Sequence, residues 1–404
     1  MKDYRNLISN EIVLNSINKL DKWIENNGWA GFDPYDIREF SFLIKLERIV
    51  IARRLIHRIE ILDPLFFRKL LRIKKRVNAK AMGLFADGFL NLYNTTGQLK
   101  YYKKAEEAMT WLENNYSKGY SGKCWGYPFD WQSRVFIPKK TPSAVVSSIV
   151  GNAYWSFYKT TREKNFLSEC ESICNFFLND LNIDKFGSDK LCFSYTPIDN
   201  FHVNNANLFA AEFLIRIGKE TGNAKFIETG LKATNYSLAQ QNEDGSICYW
   251  GKDQMKKCNI DHFHSGFEIR SLYSIWKLTQ EEKIYSAVKN YYNFYLKNLY
   301  KNKTIPKHTP KKINPINIHS CTEAILCNLV LMETFHEGKN YLYNSLDWTI
   351  KNMQHKEGWF IFMIINMKGI KRKVKIPYIR WGQAWMLYAL SKAYSHLKNH
   401  NLYS

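Results

Sequence analysis

One segment of the 404-residue chain, NIDHFHSGFE, places acidic and imidazole side chains close together. Asp261 and His264 have the types and the spacing that general acid and base catalysis needs, and Glu268 follows one helical turn later. Asp261 could instead cap the helix that begins in this segment. Cys258 and His262 would complete a set of potential zinc ligands, but their spacing fits no usual zinc site. We therefore expect no metal and no other cofactor.

A second segment, CWGYPFDWQSR, mixes aromatic side chains with charged ones. Trp125, Tyr127 and Trp131 could stack on sugar rings while neighbouring polar groups bind the hydroxyls. Asp130 and Arg134 add a carboxylate and a guanidinium to the same segment. The alternative is that these aromatic side chains only pack the loop.

Four further segments combine aromatic, polar and charged side chains, and the last two of them, NIHSCTE and PYIRWGQAW, lie at the start of predicted helices. They are DPYD near the beginning of the chain, YTPIDN, NIHSCTE and PYIRWGQAW. Their candidate residues are Asp33, Asp36, Tyr195, Asp199, Asn200, His319, Glu323, Tyr378, Arg380, Trp381 and Gln383. A single histidine such as His319 is more often structural, so a site depends on these segments meeting at one place.

The elements that must position these side chains follow an internal repeat. A turn between two helices recurs five times, and its aromatic or aliphatic position is Tyr101, Phe166, Phe226, Ile284 and Tyr341. Before each turn the helix is apolar on most faces, and after it the helix is amphipathic, which predicts inner and outer helices. A sixth outer helix opens the chain and a sixth inner helix closes it.

We therefore predict an all-α fold, an (α/α)6 toroid, in a single domain spanning residues 1–404. Closure of the ring would bring the six loops that precede the inner helices to one end, which we call the cup. The helix N-termini at that end favour negative charge. An open solenoid is the alternative, but it needs capping repeats, and the sequence has no evident ones.

A basic segment lengthens the chain before the first turn. Residues 45–76 hold eleven Lys or Arg against three acidic residues, a net +8 of the total +21. Leu, Ile and Phe alternate with the cations, so we predict a helical insertion over residues 41–76. It could be a solvated face, or it could bind an anionic membrane surface through residues 45–76. No nucleic-acid motif accompanies it, so we expect no nucleic-acid partner. A second run, KGIKRKVK at 368–375, could hold an anionic substrate group.

Targeting and redox signals are sparse in this sequence. No apolar run reaches about 18 residues, and the first residues contain no apolar signal core. The eight cysteines include no CxxC pair, which predicts reduced thiols in the core. We expect a cytoplasmic protein. If the basic segment binds lipid, the protein would also associate peripherally with the inner face of the membrane.

Several motifs together resemble VpsJ-like polysaccharide biosynthesis proteins. They are WGYPFDWQSR, FSYTPIDN, IDHFHSGF, INIHS and PYIRWGQAWM, and the resemblance covers nearly the whole chain. Such proteins belong to the six-hairpin and prenyltransferase-like group of (α/α)6 toroids. The resemblance implies a role in making bacterial surface polysaccharide, namely exopolysaccharide, capsule or O-antigen, and leaves the reaction open.

Three reactions on a sugar or a lipid-linked oligosaccharide fit the candidate residues. A hydrolase would use two carboxylates from the set Asp33, Asp130, Asp261 and Glu323. An epimerase would use His264, His319 and Arg380. A lyase or a C5-epimerase of uronic acids would use Arg134 or Arg380 as the cation, with Tyr378 or His264 as the base.

We assign catalysis to Asp130, Asp261, His264, His319 and Arg380. We assign substrate binding to Trp125, Tyr127, Trp131, Arg134, Tyr195, Asn200, Glu268, Glu323, Tyr378, Trp381 and Gln383. A non-catalytic glycan- or carrier-binding subunit is the alternative from another class of protein. A terpenoid cyclase or prenyltransferase fits less well, because the sequence lacks a DxDD acid motif and a matching zinc set.

Overall fold

The computed structural model describes residues 8–39, 51, 64–255, 257–367 and 369–401. In chain order, the helices of these residues are α1 (Asn10–Asn27), α2 (Pro64–Leu70), α3 (Ala79–Thr96), α4 (Leu99–Asn114), α5 (Ala144–Thr161), α6 (Lys164–Asn179), α7 (Asn204–Thr221), α8 (Ala224–Ala239), α9 (His262–Thr279), α10 (Glu282–Asn298), α11 (Ile318–Leu331), α12 (Gly338–Met353) and α13 (Trp385–Asn401). A 3-10 turn covers Asp36–Glu39, and a π-helical turn over Ile379–Ala384 leads into α13.

Burial separates the inner helices from the outer ones, as the repeat predicts. The inner helix α3 is buried on almost every face from Ala79 to Leu90. The outer helix α4 buries one stripe only, made of Tyr101, Ala105, Ala108, Met109 and Leu112. These positions recur every three or four residues, so they share the helix face that packs on α3.

The inner helices close into a ring. Each of α3, α5, α7, α9, α11 and α13 packs against two neighbours, and α13 meets both α11 and α3. The first outer helix, α1, packs on the last inner helix, α13, and so completes the sixth pair. Beside this junction, α1 is also joined to the end of α12, since the Ser16 hydroxyl donates to Gln354 Oε1 at 2.9 Å. The predicted (α/α)6 toroid is confirmed.

The turn from an inner to an outer helix needs a residue in the left-handed region. Gly97 (φ 72°) and Gly222 (φ 75°) take this position at no steric cost. Arg162 (φ 63°) and Gln280 (φ 58°) take it in two other repeats. The amide of Arg162 donates to the Tyr158 carbonyl at 2.8 Å, as the Gly97 amide does to that of Tyr93. The repeat therefore preserves a backbone geometry although the residue type changes.

Short antiparallel strands lie in the loops. Those of the described residues are β1 (Trp131–Gln132), β2 (Phe136–Ile137), β3 (Ile183–Lys185), β4 (Leu191–Phe193), β5 (Tyr300–Lys301), β6 (Ile305–Pro306), β7 (Ile316–Asn317), β8 (Met363–Met367) and β9 (Ile370–Val374). The first six form three hairpins, and β7, β8 and β9 form a sheet in that order. The exposed strand β9 carries most of the second basic run predicted to meet an anionic group.

The predicted basic insertion is described only in part. Residues 41–50 and 52–63 lie outside the described residues, and with them most of the segment expected to bind membrane. Arg68 of α2 departs from the predicted cationic face, because its side chain is buried and bonds to Asp36 at 2.7 Å. Among the helices of the described ranges, none is sufficiently long and apolar to cross a membrane.

Two cysteines differ from the prediction of reduced core thiols. Cys248 and Cys258 form a disulfide bond, whereas the other six cysteines are free and buried, as expected. The sequence carries no CxxC signal for this bond, because the two residues are brought together by the path of the loop between α8 and α9. Cys258 itself is exposed.

Candidate active site

Aromatic side chains from the loops before the inner helices line one side of the cup. Tyr35 contacts Phe129 (ring centroids 6.1 Å apart), and Phe129 stacks on Tyr127 at 5.3 Å. Trp131 lies 6.5 Å from Tyr127 and 5.4 Å from Tyr195. Three loops that are distant in sequence therefore form one wall.

The opposite side of the cup begins at the loop before α9. The Tyr249 ring lies 4.3 Å from the His264 ring, and Phe263 lies 4.1 Å from His264 on its other side. Phe263 then contacts Trp381 at 5.8 Å, and Trp381 contacts Tyr35 at 6.1 Å. These contacts lead back to the first wall, so the predicted convergence of loops at one end of the ring is present.

Asp261 and His264 form a closely coupled pair on this second side. The Asp261 carboxylate accepts the His264 backbone N–H at 2.9 Å and contacts His264 Nδ1 at 2.6 Å. Burial disfavours the charge on Asp261, but the adjacent His264 outweighs it and holds the pKa of Asp261 below its usual value. Asp261 therefore caps α9 and at the same time contacts the imidazole of His264.

The pair is accessible from the cup. The Asp261 and His264 side chains keep 23% and 22% of their exposure. Because Nδ1 is bonded to Asp261, exchange of a proton with a ligand falls to Nε2 of His264. The loop before α11 contributes His308, whose pKa is lowered by burial although the Asp261 carboxylate is near.

Arg380 is held by a carboxylate and is not a free cation. Its Nε and Nη2 donate to Asp33 at 2.7 and 2.8 Å, and both side chains are buried. The guanidinium lies 4.9 Å from the centre of the Tyr127 ring. This bidentate pair leaves Nη1 as the donor for a ligand, so Arg380 binds or positions rather than transferring a proton.

His319 lies at the bottom of the cup and has no hydrogen-bond partner on either ring nitrogen within the described residues. Its ring stacks on Phe263 at 4.7 Å and contacts Trp381 at 5.0 Å. Burial, followed by the charge of Lys80, holds the pKa of His319 well below its usual value. His319 is therefore a neutral imidazole, able to donate one hydrogen bond and accept another.

Five residues assigned to substrate binding have structural roles instead. Trp125 is fully buried and donates its indole N–H to the Leu112 carbonyl at 3.0 Å, so its ring does not face the cup. The other four are held by neighbouring groups. Glu268 accepts the Tyr291 hydroxyl at 2.5 Å, and Glu323 accepts two N–H groups of Arg270 at 2.8 and 2.9 Å. Gln383 accepts the Phe360 amide at 2.8 Å, and the Tyr378 ring packs against that of Phe362. Sequence spacing does not distinguish these buried polar and aromatic side chains from those that face the cup.

The remaining candidates lie at the rim. Asp130 accepts the Lys139 amide at 2.7 Å and keeps partial exposure. Arg134 is exposed, lies 4.3 Å over the Trp250 ring and donates to the Gln254 carbonyl at 3.1 Å. Asn200 is exposed, and its carbonyl accepts the Gln254 amide at 2.6 Å. These three residues therefore border the opening rather than the bottom of the cup.

The sequence analysis missed Lys80 and the aromatic residues Tyr35, Phe129, Tyr249 and Phe263. Lys80 is the second residue of α3 and lies at the cup end, with only 3% of its surface exposed. The position of Lys80 in the repeat could have predicted its location, because each inner helix begins at the cup and its first turn faces the same space.

Comparison with known proteins shows the fold and nothing closer. No family model matches the chain, and no curated protein does. The resemblance to VpsJ-like proteins therefore stays a prediction. Among solved structures, the chain is similar to a cellobiose 2-epimerase from Spirochaeta thermophila, with a TM-score of 0.61 and 11% identity over 81% of this chain and 87% of that one.

Two hydrolase structures are similar as well. An unsaturated glucuronyl hydrolase specific for heparin gives a TM-score of 0.60 and 11% identity, covering 96% of this chain and 97% of that one. A family 76 alpha-mannanase from Bacteroides thetaiotaomicron gives a TM-score of 0.56 and 10% identity, covering 81% of this chain and 87% of that one. All share the (α/α)6 toroid with this chain, and at such identities the likeness extends to the fold alone.

Proposed function

We propose that this protein is a carbohydrate-active enzyme that binds a saccharide in the cup and uses His264 as its acid or base. The observation that carries the proposal is the Asp261–His264 pair, held at 2.6 Å, partly exposed and flanked by the rings of Tyr249 and Phe263. Aromatic walls with interspersed hydrogen-bonding groups suit sugar rings, whose CH faces stack and whose hydroxyls need polar partners.

The carboxylates of the cup favour proton transfer at carbon over hydrolysis. Hydrolysis needs two available carboxyl groups, but Asp33 is bonded to Arg380 and Glu323 to Arg270. Asp130 and Asp261 remain, and Asp261 is bonded to His264. An imidazole oriented by a carboxylate is instead suited to taking a proton from a sugar carbon, as an epimerase or a lyase does.

The pathway belongs to the same proposal. The resemblance to VpsJ-like proteins and the net charge of +21 support action on a sugar or lipid-linked oligosaccharide of bacterial surface polysaccharide, on the cytoplasmic side of the membrane. The basic segment at residues 45–76 would then hold the protein near an anionic lipid surface.

Turnover of a panel of neutral and acidic oligosaccharides in D2O tests the reaction. An epimerase introduces deuterium at a sugar carbon, a lyase creates a conjugated double bond, and a hydrolase releases reducing ends. We expect His264→Ala to lower kcat by about 100-fold or more and Asp261→Asn to lower it less, because general acid–base catalysis contributes about that much. His336→Ala is the matched control, since His336 is exposed at the turn before α12, at the other end of the ring.

A non-catalytic binding subunit gives a different result. In that case the wild-type protein turns over none of the panel, and His264→Ala changes only the affinity for a glycan. If the protein releases reducing ends, and this activity depends on Asp130 and not on His264, the reaction is hydrolysis and not proton transfer at carbon.

A further inference from the structure

Lys80 is a buried lysine that has no ion pair with a carboxylate among the described residues. Two other basic side chains near it, buried Arg380 and partly buried Arg270, are each paired with one carboxylate in bidentate geometry, Asp33 and Glu323 respectively. Lys80 Nζ instead lies over aromatic rings, 5.7 Å from the centre of Phe267 and 5.5 Å from that of Trp385. Burial of an unpaired ammonium is costly, and burial, followed by the charge of Arg380, holds the pKa of Lys80 well below its usual value. An anionic partner beside Nζ would favour the charged form of Lys80.

Other unsatisfied donors surround the same place. The rings of Phe267, Trp381 and Trp385 all lie within 5.3 Å of the His319 ring, and we call these four residues with Lys80 the floor cluster. Among the described residues, the indole N–H groups of Trp381 and Trp385 and both nitrogens of His319 have no hydrogen-bond partner. His319 is 2% exposed and Trp381 is 9% exposed, so water does not readily satisfy them.

The floor cluster therefore has an excess of donors over acceptors. The two indoles offer only N–H groups, Lys80 offers only N–H groups once it is protonated, and neutral His319 offers one N–H with one acceptor nitrogen. The first turn of α3, which carries Lys80, adds the positive end of its helix dipole. The group that matches this arrangement is an oxyanion.

We propose that the floor cluster binds the anionic group of the substrate, either a sugar carboxylate or a sugar phosphate. The inference rests on the proposed function, because it places a saccharide in the cup, and it narrows the substrate class to acidic sugars. The anion supplies the missing partner of Lys80, while the neutral part of the sugar lies between the aromatic walls above it. His264, next to Phe263 on the wall, is then near the ring carbons of a sugar anchored at the floor.

Calorimetric titration of the full-length protein at constant ionic strength tests this assignment with glucose, glucuronate, glucose 1-phosphate and inorganic phosphate. At least one acidic sugar is expected to bind about tenfold or more tightly than glucose, since hydrogen bonds to charged groups are worth that much. Lys80→Met should remove this preference. Lys103→Met, at an exposed lysine of the outer helix α4, should retain it.

The two acidic sugars separate a carboxylate from a phosphate as the natural group. Equal binding of glucose and both acidic sugars overturns the proposal, and so does a preference that survives in Lys80→Met or disappears in Lys103→Met. If no sugar binds but phosphate does so through Lys80, the oxyanion site stands and the saccharide function falls. If phosphate binding is also absent or independent of Lys80, the site itself falls.

A second measurement does not depend on any variant. Phosphate should protect the Lys80 amine of the unmodified chain from reductive methylation, as measured by mass spectrometry, while leaving exposed Lys103 unprotected. Lys80 methylation at the same rate with and without phosphate would contradict the assignment. We expect Lys80→Met to fold, because replacing an unpaired buried charge by an apolar chain of similar length does not destabilise the core.

Discussion

Asp33 and Arg380 lie 347 residues apart in the chain and form a bidentate ion pair, with donor to acceptor distances of 2.7 and 2.8 Å. Nearby, the Ile379 amide donates to the Phe32 carbonyl at 3.0 Å, so the backbone joins the same two segments. The pair closes the ring at the level of the cup and fixes the guanidinium over Tyr127. One contact thus links the integrity of the toroid to the shape of the candidate site.

Removing one member of this pair should destabilise the fold strongly. Asp33→Asn leaves a buried guanidinium without its counter-charge, and Arg380→Met leaves a buried carboxylate. Each should lower the free energy of unfolding by about 3–5 kcal/mol in urea denaturation. The double variant should lose less than the sum of the two, since neither charge is left alone.

An exposed pair provides the comparison. Lys351, two-thirds exposed, bonds to Asp347 one turn earlier in α12, and Lys351→Met should change stability by about 0.5 kcal/mol or less. If Arg380→Met and Lys351→Met lower the free energy of unfolding by the same amount, the Asp33–Arg380 pair is exposed to water in solution.

Trp125 and Trp131 should respond oppositely to substitution although they lie six positions apart. Trp125→Ala empties a core site and should lower the free energy of unfolding by about 3–5 kcal/mol. Trp131→Ala removes a half-buried ring from the wall of the cup, so it should raise KM or Kd for a saccharide with a smaller effect on stability. Denaturation curves and ligand titrations on both variants check this. Loss of affinity in Trp125→Ala at unchanged stability would return Trp125 to the site.

These two tryptophans also show what the sequence could predict and what it could not. The spacing of the turns determines the ring, because helical period and turn length are local properties, and so the fold and the meeting of the loops followed from it. Inside a loop no period applies, so the sequence did not reveal that Trp125 points into the core and Trp131 into the cup. The partners of Glu323 and Arg380 come from other repeats, which local patterns do not record.

Asp36 should make stability depend on pH between about 4 and 7. Burial raises the pKa of this carboxyl from 3.8 to about 7, although Arg68 opposes the rise. The folded protein then binds a proton that the unfolded chain has released, so the contribution of Asp36 to stability should fall as pH rises across this interval. Asp36→Asn should flatten that part of the stability profile, measured by urea denaturation at several pH values.

The control for Asp36 is an exposed carboxylate. Asp189 lies in the β3–β4 turn, and Asp189→Asn should follow the wild-type profile. If the stability profile of Asp36→Asn between pH 4 and 7 is the same as that of the wild type, the Asp36 carboxyl titrates alike in the folded and unfolded chains.

The disulfide bond between Cys248 and Cys258 should support the wall that holds His264. It closes the loop that begins with Tyr249, whose ring lies 4.3 Å from His264 and whose amide donates to the Asn259 carbonyl at 2.9 Å. For ten residues of separation, loss of the bond should cost about 2–3 kcal/mol of unfolding free energy, because the unfolded chain regains freedom. Cys258→Ser should show this loss in urea denaturation, together with weaker saccharide binding as Tyr249 loses its support.

The wild-type protein treated with a reductant should match Cys258→Ser, and the reductant should leave Cys258→Ser itself unchanged. A wild-type protein whose stability and affinity do not respond to reductant would mean that Tyr249 is held by packing and by its amide hydrogen bond alone.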